Sequence, residues 1–301
     1  MLLSMAAERF IQYITVERGY TKGTITSYSS DLKAFERFAS SEDSIVNAED
    51  VTRAVVRRYI SSMAASGYKP ATIARRIYGV SSMFNYLVAI EHLLRNPCFQ
   101  AVLPKKRKTS PVVLSADEAG RLLAASGEND DAVYGFRDRA MLTTLLFCGL
   151  RRAELLDLRL EDVDLKAGWL KVKLGKGMKA RSIPLQPNVV SALSDWFELR
   201  PACETPYVFP GLNGDAPLSP HGLHRIFRRA LERSGLRREG VTIHTMRHTF
   251  ATMLLQGGAD IVSIQQLLGH NDLATTSIYL QVDSARLQQV VQMNPLAQYA
   301  T

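Results

Sequence analysis

The chain has 301 residues, of which 46% are hydrophobic and 22% charged, a composition that suits a globular protein and excludes a disordered one. Cysteines at 98, 148 and 203 are too few and too scattered for a disulfide framework or a zinc site, and no apolar run reaches the ~20 residues of a membrane helix. The net charge of +8 is uneven, at −3 over residues 1–50, +10 over 51–110 and +1 over the rest. Such a basic band suits a polyanion, and it equally suits a solvated helix face beside a basic linker. With no charged leader before an apolar run, the expected compartment is the cytoplasm.

Residues 1–103 carry four helical patterns and no convincing strand. "AAERFIQYITVERG" spaces Phe10, Ile11 and Ile14 on one face and ends at Gly19. "TKGTITSYSSDLKAFERFAS" places Ile25, Tyr28, Leu32, Phe35 and Phe38 at steps of three and four. "DVTRAVVRRYISSMAASG" stops at Gly67. The fourth, "KPATIARRIYGVSSMFNYLVAIEHLL", has Pro70 near its start and a stripe of Ile73, Ile77, Val80, Phe84 and Leu87. These stripes read as core. Arg57, Arg58, Arg75 and Arg76 lie opposite them and are candidate contacts for such a polyanion.

"LPKKRKTSP" (103–111) breaks the pattern with two prolines and the cations Lys105, Lys106, Arg107 and Lys108. It predicts a basic linker over 104–111, between domains spanning 1–103 and 112–301. The second domain opens with Ser115 and Glu118 at capping-box spacing. In "GWLKVKLGKGMKARSIPL", Leu170, Val172 and Leu174 alternate with Lys171 and Lys173, and Arg181–Leu185 returns extended. That predicts a β-hairpin with Lys176 near its tip. Helical patterns resume at 187–199, 219–234 and 245–293. The stretch "SPHGLHRIFRRALERSG" (219–235) carries Arg225, Arg228 and Arg229 on its polar side. It fits a helix that reads bases in a groove and, equally, one that contacts phosphates only. The predicted fold is mainly α, with a small β-hairpin in the second domain.

Four separated segments then call for a common explanation. "GLRRAEL" puts Arg151 at a glycine-marked turn, and the hairpin presents Lys176. "HTMRH" puts His244 and Arg247 three apart on one helix face, while "LLGHND" leaves His270 at a helix break and Tyr279 follows nine residues on. Singly, each has an ordinary explanation: a surface arginine, a helix-end histidine, a core tyrosine. His244 and His248 stand at a zinc-like i, i+4 spacing, but no nearby glutamate completes a zincin pattern and neighbouring arginines would repel a dication. There is no G-x-S-x-G elbow for a serine hydrolase. A phosphodiester fits the whole set. Two arginines can grip its nonbridging oxygens, a lysine can protonate a leaving 5′-oxygen, histidines can move protons and a tyrosine can attack phosphorus. Such a site needs no metal or other cofactor.

In these segments the chain resembles the tyrosine recombinase, or integrase, family, and most closely its Xer-like bacterial branch. "ERGYTKGTITSYSSDLKAF" is similar to the family's N-terminal core-binding domain. "GLRRAELLDLRLEDVDL", "GKGMKARSIPL", "HTMRHTFATMLLQGGADIVSIQQLLGH" and "TTSIYLQV" resemble its catalytic motifs in order. The resemblance implies the tyrosine recombinase fold, with Arg151 and Arg247 as paired phosphate-binding arginines and Lys176 as general acid. His244 and His270 become pocket residues, Tyr279 the nucleophile, Glu154 a supporting acid and His248 a residue packed behind the site. It also implies double-stranded DNA with paired half-sites, clamped between the two domains, and other protomers in a tetrameric synapse. The apolar stripe of Leu287, Val290 and Val291 would then dock on a neighbouring protomer. Ile243 stands where Xer-like proteins carry proline, and Leu280-Gln281 replaces Thr-His. The biological role is left open between dimer resolution and a mobile element. The alternatives are a type IB topoisomerase and a non-catalytic DNA-binding protein on the same fold.

Overall fold

The computed structural model describes residues 1–104, 111–129, 131–173, 180–211, 214 and 216–269, with Asp43 described by its backbone alone. The chain divides into two compact units, Met1–Lys108 and Thr109–Thr301.

The first unit is built from α1 (Leu3–Val16), α2 (Lys22–Asp43), α3 (Arg53–Ala65) and α4 (Pro70–Ala89). Local chemistry sets the helix starts. Thr21 and Thr52 accept from the backbone N–H groups of Thr24 and Val55, and Pro70 sits in the first turn of α4, where a missing N–H costs nothing. The stripes do form the core: Phe10 and Ile14, Leu32 and Phe35, Val55 and Tyr59, and Ile73, Ile77, Val80, Phe84 and Leu87 are all buried. Each such side chain contributes roughly 1.5–3 kcal/mol by leaving water.

The second unit is mostly helical, with α5 (Ala116–Ser126), α6 (Ala132–Cys148) and the single-turn α7 (Arg152–Leu156) preceding the sheet. Ser115 and Glu118 form the expected capping box at α5. Helix α6 is buried on nearly every side, through residues such as Ala140, Met141, Leu142, Leu145 and Leu146, and it packs against α5, α7, α8 (Pro187–Leu199) and α10 (Ile243–Gln256). A helix so covered belongs at the centre of a domain, and its buried Arg137 and Asp138 pair with each other at 2.7 Å. Helices α9 (Pro220–Arg233) and α11 (Ile261–Leu268) complete the described set.

The sheet is antiparallel in the order β1 (Val163–Asp164), β2 (Trp169–Val172), β3 (Arg181–Pro184). Leu170 pairs with Ile183 and Val172 with Arg181, so Leu170, Val172 and Ile183 share the buried face. The predicted hairpin is therefore present at its roots, while Leu174 and its tip at Lys176 lie outside the described residues. Strand β1 is an addition, since two residues are too short to show alternation. The helical patterns over 245–293 contain a further break, not expected from the sequence. α10 ends at Gln256, Gly258 takes a φ of +95°, and α11 starts afresh at Ile261. The part of those patterns from 270 onward lies outside the described residues. None of the described helices is long and apolar enough to cross a membrane.

Candidate active site

The site begins where α6 stops. Gly149 caps α6 in the left-handed region, at φ +59°, and a Cβ there would lie 2.3 Å from Phe250 Cδ1. Only glycine meets both demands. Two residues on, Arg151 is the N-cap of α7. Glu154 accepts from the Arg151 backbone N–H at 2.8 Å and from Arg151 Nη1 at 2.7 Å. The carboxylate thus caps the helix and aims the guanidinium in one step.

On α10, Arg247 is 6% exposed. Its Nη1 donates to Gly149 O at 2.7 Å and its Nη2 to Leu268 O at 2.6 Å, and Nη1 lies 4.0 Å from Glu154 Oε2. Helix α11 ends at Gly269, with φ +63°. The last carbonyls of a helix have no partner inside it. Here arginines take them in turn: Arg181 Nε binds Leu267 O at 2.7 Å, Arg247 Nη2 binds Leu268 O, and Arg151 Nη2 binds Gly269 O at 3.1 Å. The negative end of the helix dipole favours cations at this point.

Arg181 lies inside the hairpin segment "GKGMKARSIPL", yet its place in the sequence marks it for no role at the site. Its Nη1 and Nη2 donate to both oxygens of Glu154, at 2.9 and 2.7 Å. The available signal is its strand phase, since Arg181 and Ile183 point to the same inward face and a cation there needs a buried partner. Lys173, just after β2, is a second addition. Its ammonium pairs with Glu161 at 2.5 Å and Asp162 at 2.9 Å, so both roots of the hairpin are anchored.

Burial opposes the charge of Glu154, yet hydrogen bonds from Arg181 and Arg151 and the Arg181 charge bring its pKa down to about 2. Three guanidinium groups around one carboxylate leave two positive charges. The Arg151 side chain keeps 31% of its surface, so an anion can reach it. His244 is exposed on α10. Partial cover over its ring, with the charges of Arg152 and Arg247 nearby, lowers its pKa from the ordinary histidine value, which favours the neutral, proton-accepting form. His248 is half-buried and is lowered by burial, by His244 and by Arg247.

The structure therefore brings together Arg151, Glu154, His244, Arg247 and His248. Lys176, His270, Tyr279 and Lys105, Lys106, Arg107 and Lys108 lie outside the described residues. In the first unit Arg57 and Arg58 are exposed. Arg75 is half exposed and is held by Asp31 and by Ser27 Oγ, the latter at 2.8 Å. Arg76 departs from its assigned open face. Its side chain is 19% exposed and lies over the Tyr68 ring at 4.4 Å, because aromatic faces and Asp31 draw the cation inward. Arg225 and Arg228 are exposed on α9, with Arg228 3.3 Å from Glu232, while Arg229 is half-buried.

Comparison with known proteins gives consistent matches. Residues 112–286 match the phage integrase family, and residues 7–91 match the phage integrase N-terminal SAM-like domain. The tyrosine recombinase XerD of Listeria innocua is 33% identical over 295 residues, covering 96% of this chain and 98% of the relative. The crystal structure of XerA recombinase is 28% identical with a TM-score of 0.53, covering 99% of each chain. The Tn1549 transposon integrase, solved in complex with a circular intermediate DNA, is 18% identical with a TM-score of 0.78, covering 95% of this chain and 98% of the other. The order of its motifs, the arginine-lined pocket and these matches agree: the chain belongs to the phage integrase family of tyrosine recombinases.

Proposed function

We propose that this recombinase cleaves and rejoins double-stranded DNA at paired half-sites, working in a tetrameric synapse with other protomers in the cytoplasm. One observation carries the reading: Arg151 and Arg247 meet at Glu154, with His244 on the helix of Arg247, which makes a site of fixed positive charge with an imidazole at its edge. A phosphodiester entering it gains charge-assisted hydrogen bonds that strengthen as charge builds on the nonbridging oxygens. Tyr279 attacks phosphorus, the bond to the 5′-oxygen breaks and Lys176 supplies the proton to that oxygen. His244 and His270 serve the proton lost by the tyrosine. The products are a 3′-phosphotyrosine and a 5′-hydroxyl, and attack by a partner strand's 5′-hydroxyl reverses the step. One phosphoester replaces another, so no ATP is consumed. The DNA complex of the related transposon integrase supports the choice of polymer.

The test uses a duplex recovered by binding selection from random sequences. Wild-type protein is expected to leave a covalent protein–DNA band on a denaturing gel. Tyr279→Phe should bind the same duplex with unchanged affinity and leave no such band. An undiminished band from Tyr279→Phe would remove Tyr279 as nucleophile.

A further inference from the structure

Arg181 is a buried cation without a place in the chemistry above. It opens β3, its side chain is 8% exposed, and three of its nitrogens are engaged: two on Glu154 and one on Leu267 O. A guanidinium so covered is not a DNA contact. Simple packing does not call for it either, since desolvating a guanidinium costs several kcal/mol before its partners offset it.

Its partners define its task. Glu154 orients Arg151 through the backbone N–H and Nη1. With Arg151 as its main counter-ion, that carboxylate would cancel the charge the phosphate needs. Arg181 supplies a second counter-ion in a fork-to-fork pose on both carboxylate oxygens, so Glu154 can aim Arg151 without neutralising it. The Nε bond to Leu267 O ties the same carboxylate to the end of α11, where Arg151 and Arg247 also rest. Gly269 belongs to the device, because a Cβ there would stand 3.0 Å from Arg181 Nη1.

We propose that Arg181 is a positioning residue for strand cleavage, the counter-ion of Glu154 that presents Arg151 to the phosphate at full charge and in one pose. The proposal deepens the phosphoryl-transfer reading and rests on it.

The experiment compares cleavage of the selected duplex with cleavage of the same duplex carrying a methylphosphonate at the scissile position, each diastereomer apart. Replacing a nonbridging oxygen by methyl removes the charge that Arg151 answers. Arg151→Ala is the control and should be relieved on one diastereomer. Arg181→Met is expected to slow cleavage of the ordinary duplex about 100-fold, in the range of losing one transition-state donor. Duplex affinity should change less than about threefold and the loss should shrink at least about tenfold on that same diastereomer, a tenfold step being ~1.4 kcal/mol. Adding Glu154→Gln to Arg181→Met should restore part of the rate, because the uncompensated carboxylate is then gone. Arg181→Lys keeps the charge but cannot span both oxygens and Leu267 O, and it should show the same relief with a smaller loss. If Arg181→Met does not fold, Arg181→Lys decides alone. Equal slowing on phosphate and methylphosphonate, or a wild-type rate in Arg181→Lys, overturns the proposal. Wild-type protein that forms no adduct on either duplex overturns the reading beneath it instead.

Discussion

Glu154 is a carboxylate whose ionisation the neighbouring arginines shift strongly. Its pKa of about 2 lies below its ordinary value of 4.5, so the folded state holds the charge more firmly than the unfolded chain does. The stability it contributes is therefore complete above pH ~4.5 and is lost as the pH falls toward 2, to the extent of about 3 kcal/mol. Glu154→Gln keeps the shape and removes the titration. Urea unfolding at a series of pH values should show wild type falling more steeply than Glu154→Gln between pH 5 and 2, and parallel curves would mean that the arginines around it hold no net charge coupling. Arg151, His244 and Arg247 were singled out in the sequence by a turn glycine and a three-residue spacing, and Glu154 by the family resemblance alone. Arg181 was hidden by the same alternation that revealed its strand. Arg76 was hidden because adjacent residues on a helix point about 100° apart, so two arginines in a row do not share an environment.

The helices were legible as elements wherever one apolar stripe met one core, as in α1 to α4. Their breaks were less so. The helical patterns of α10 and α11 run close together in the sequence, and Gly257-Gly258 with the Asp260 cap of α11 separates them. Gly149 is the junction that matters most for the site, since it ends α6, admits the Phe250 ring and offers its carbonyl to Arg247. Gly149→Ala places a Cβ in the left-handed region against that ring. The expected loss is at least about 2 kcal/mol, from backbone strain together with overpacking. A lowered thermal midpoint with cleavage reduced at permissive temperature is the expected result. Wild-type stability in Gly149→Ala would mean that α10 can shift freely without disturbing the arginines.

At the scale of the whole molecule, charge and connectivity dominate. The +10 of residues 51–110 was plain in the sequence, and much of it rests on Arg57 and Arg58 of α3, Arg75 of α4 and the basic run at 105–108. Replacing Lys105, Lys106, Arg107 and Lys108 with glutamine should flatten the salt dependence of duplex binding. The slope of log K against log salt should fall by about 0.9 for each phosphate that the protein no longer neutralises, and an unchanged slope would exclude the run from the interface. The arrangement of the site was not legible at this scale, because it depends on residues far apart in the chain. The carbonyls that close α11 are held by side chains 21, 86 and 118 residues away. Each such bond must first overcome the entropy of closing its loop, and distant pairings form late for that reason. A chain still emerging from synthesis already carries Arg151 and Arg181 but has no carbonyls to seat them on. The arginines around Glu154 are thus seated only once the end of α11 is in place.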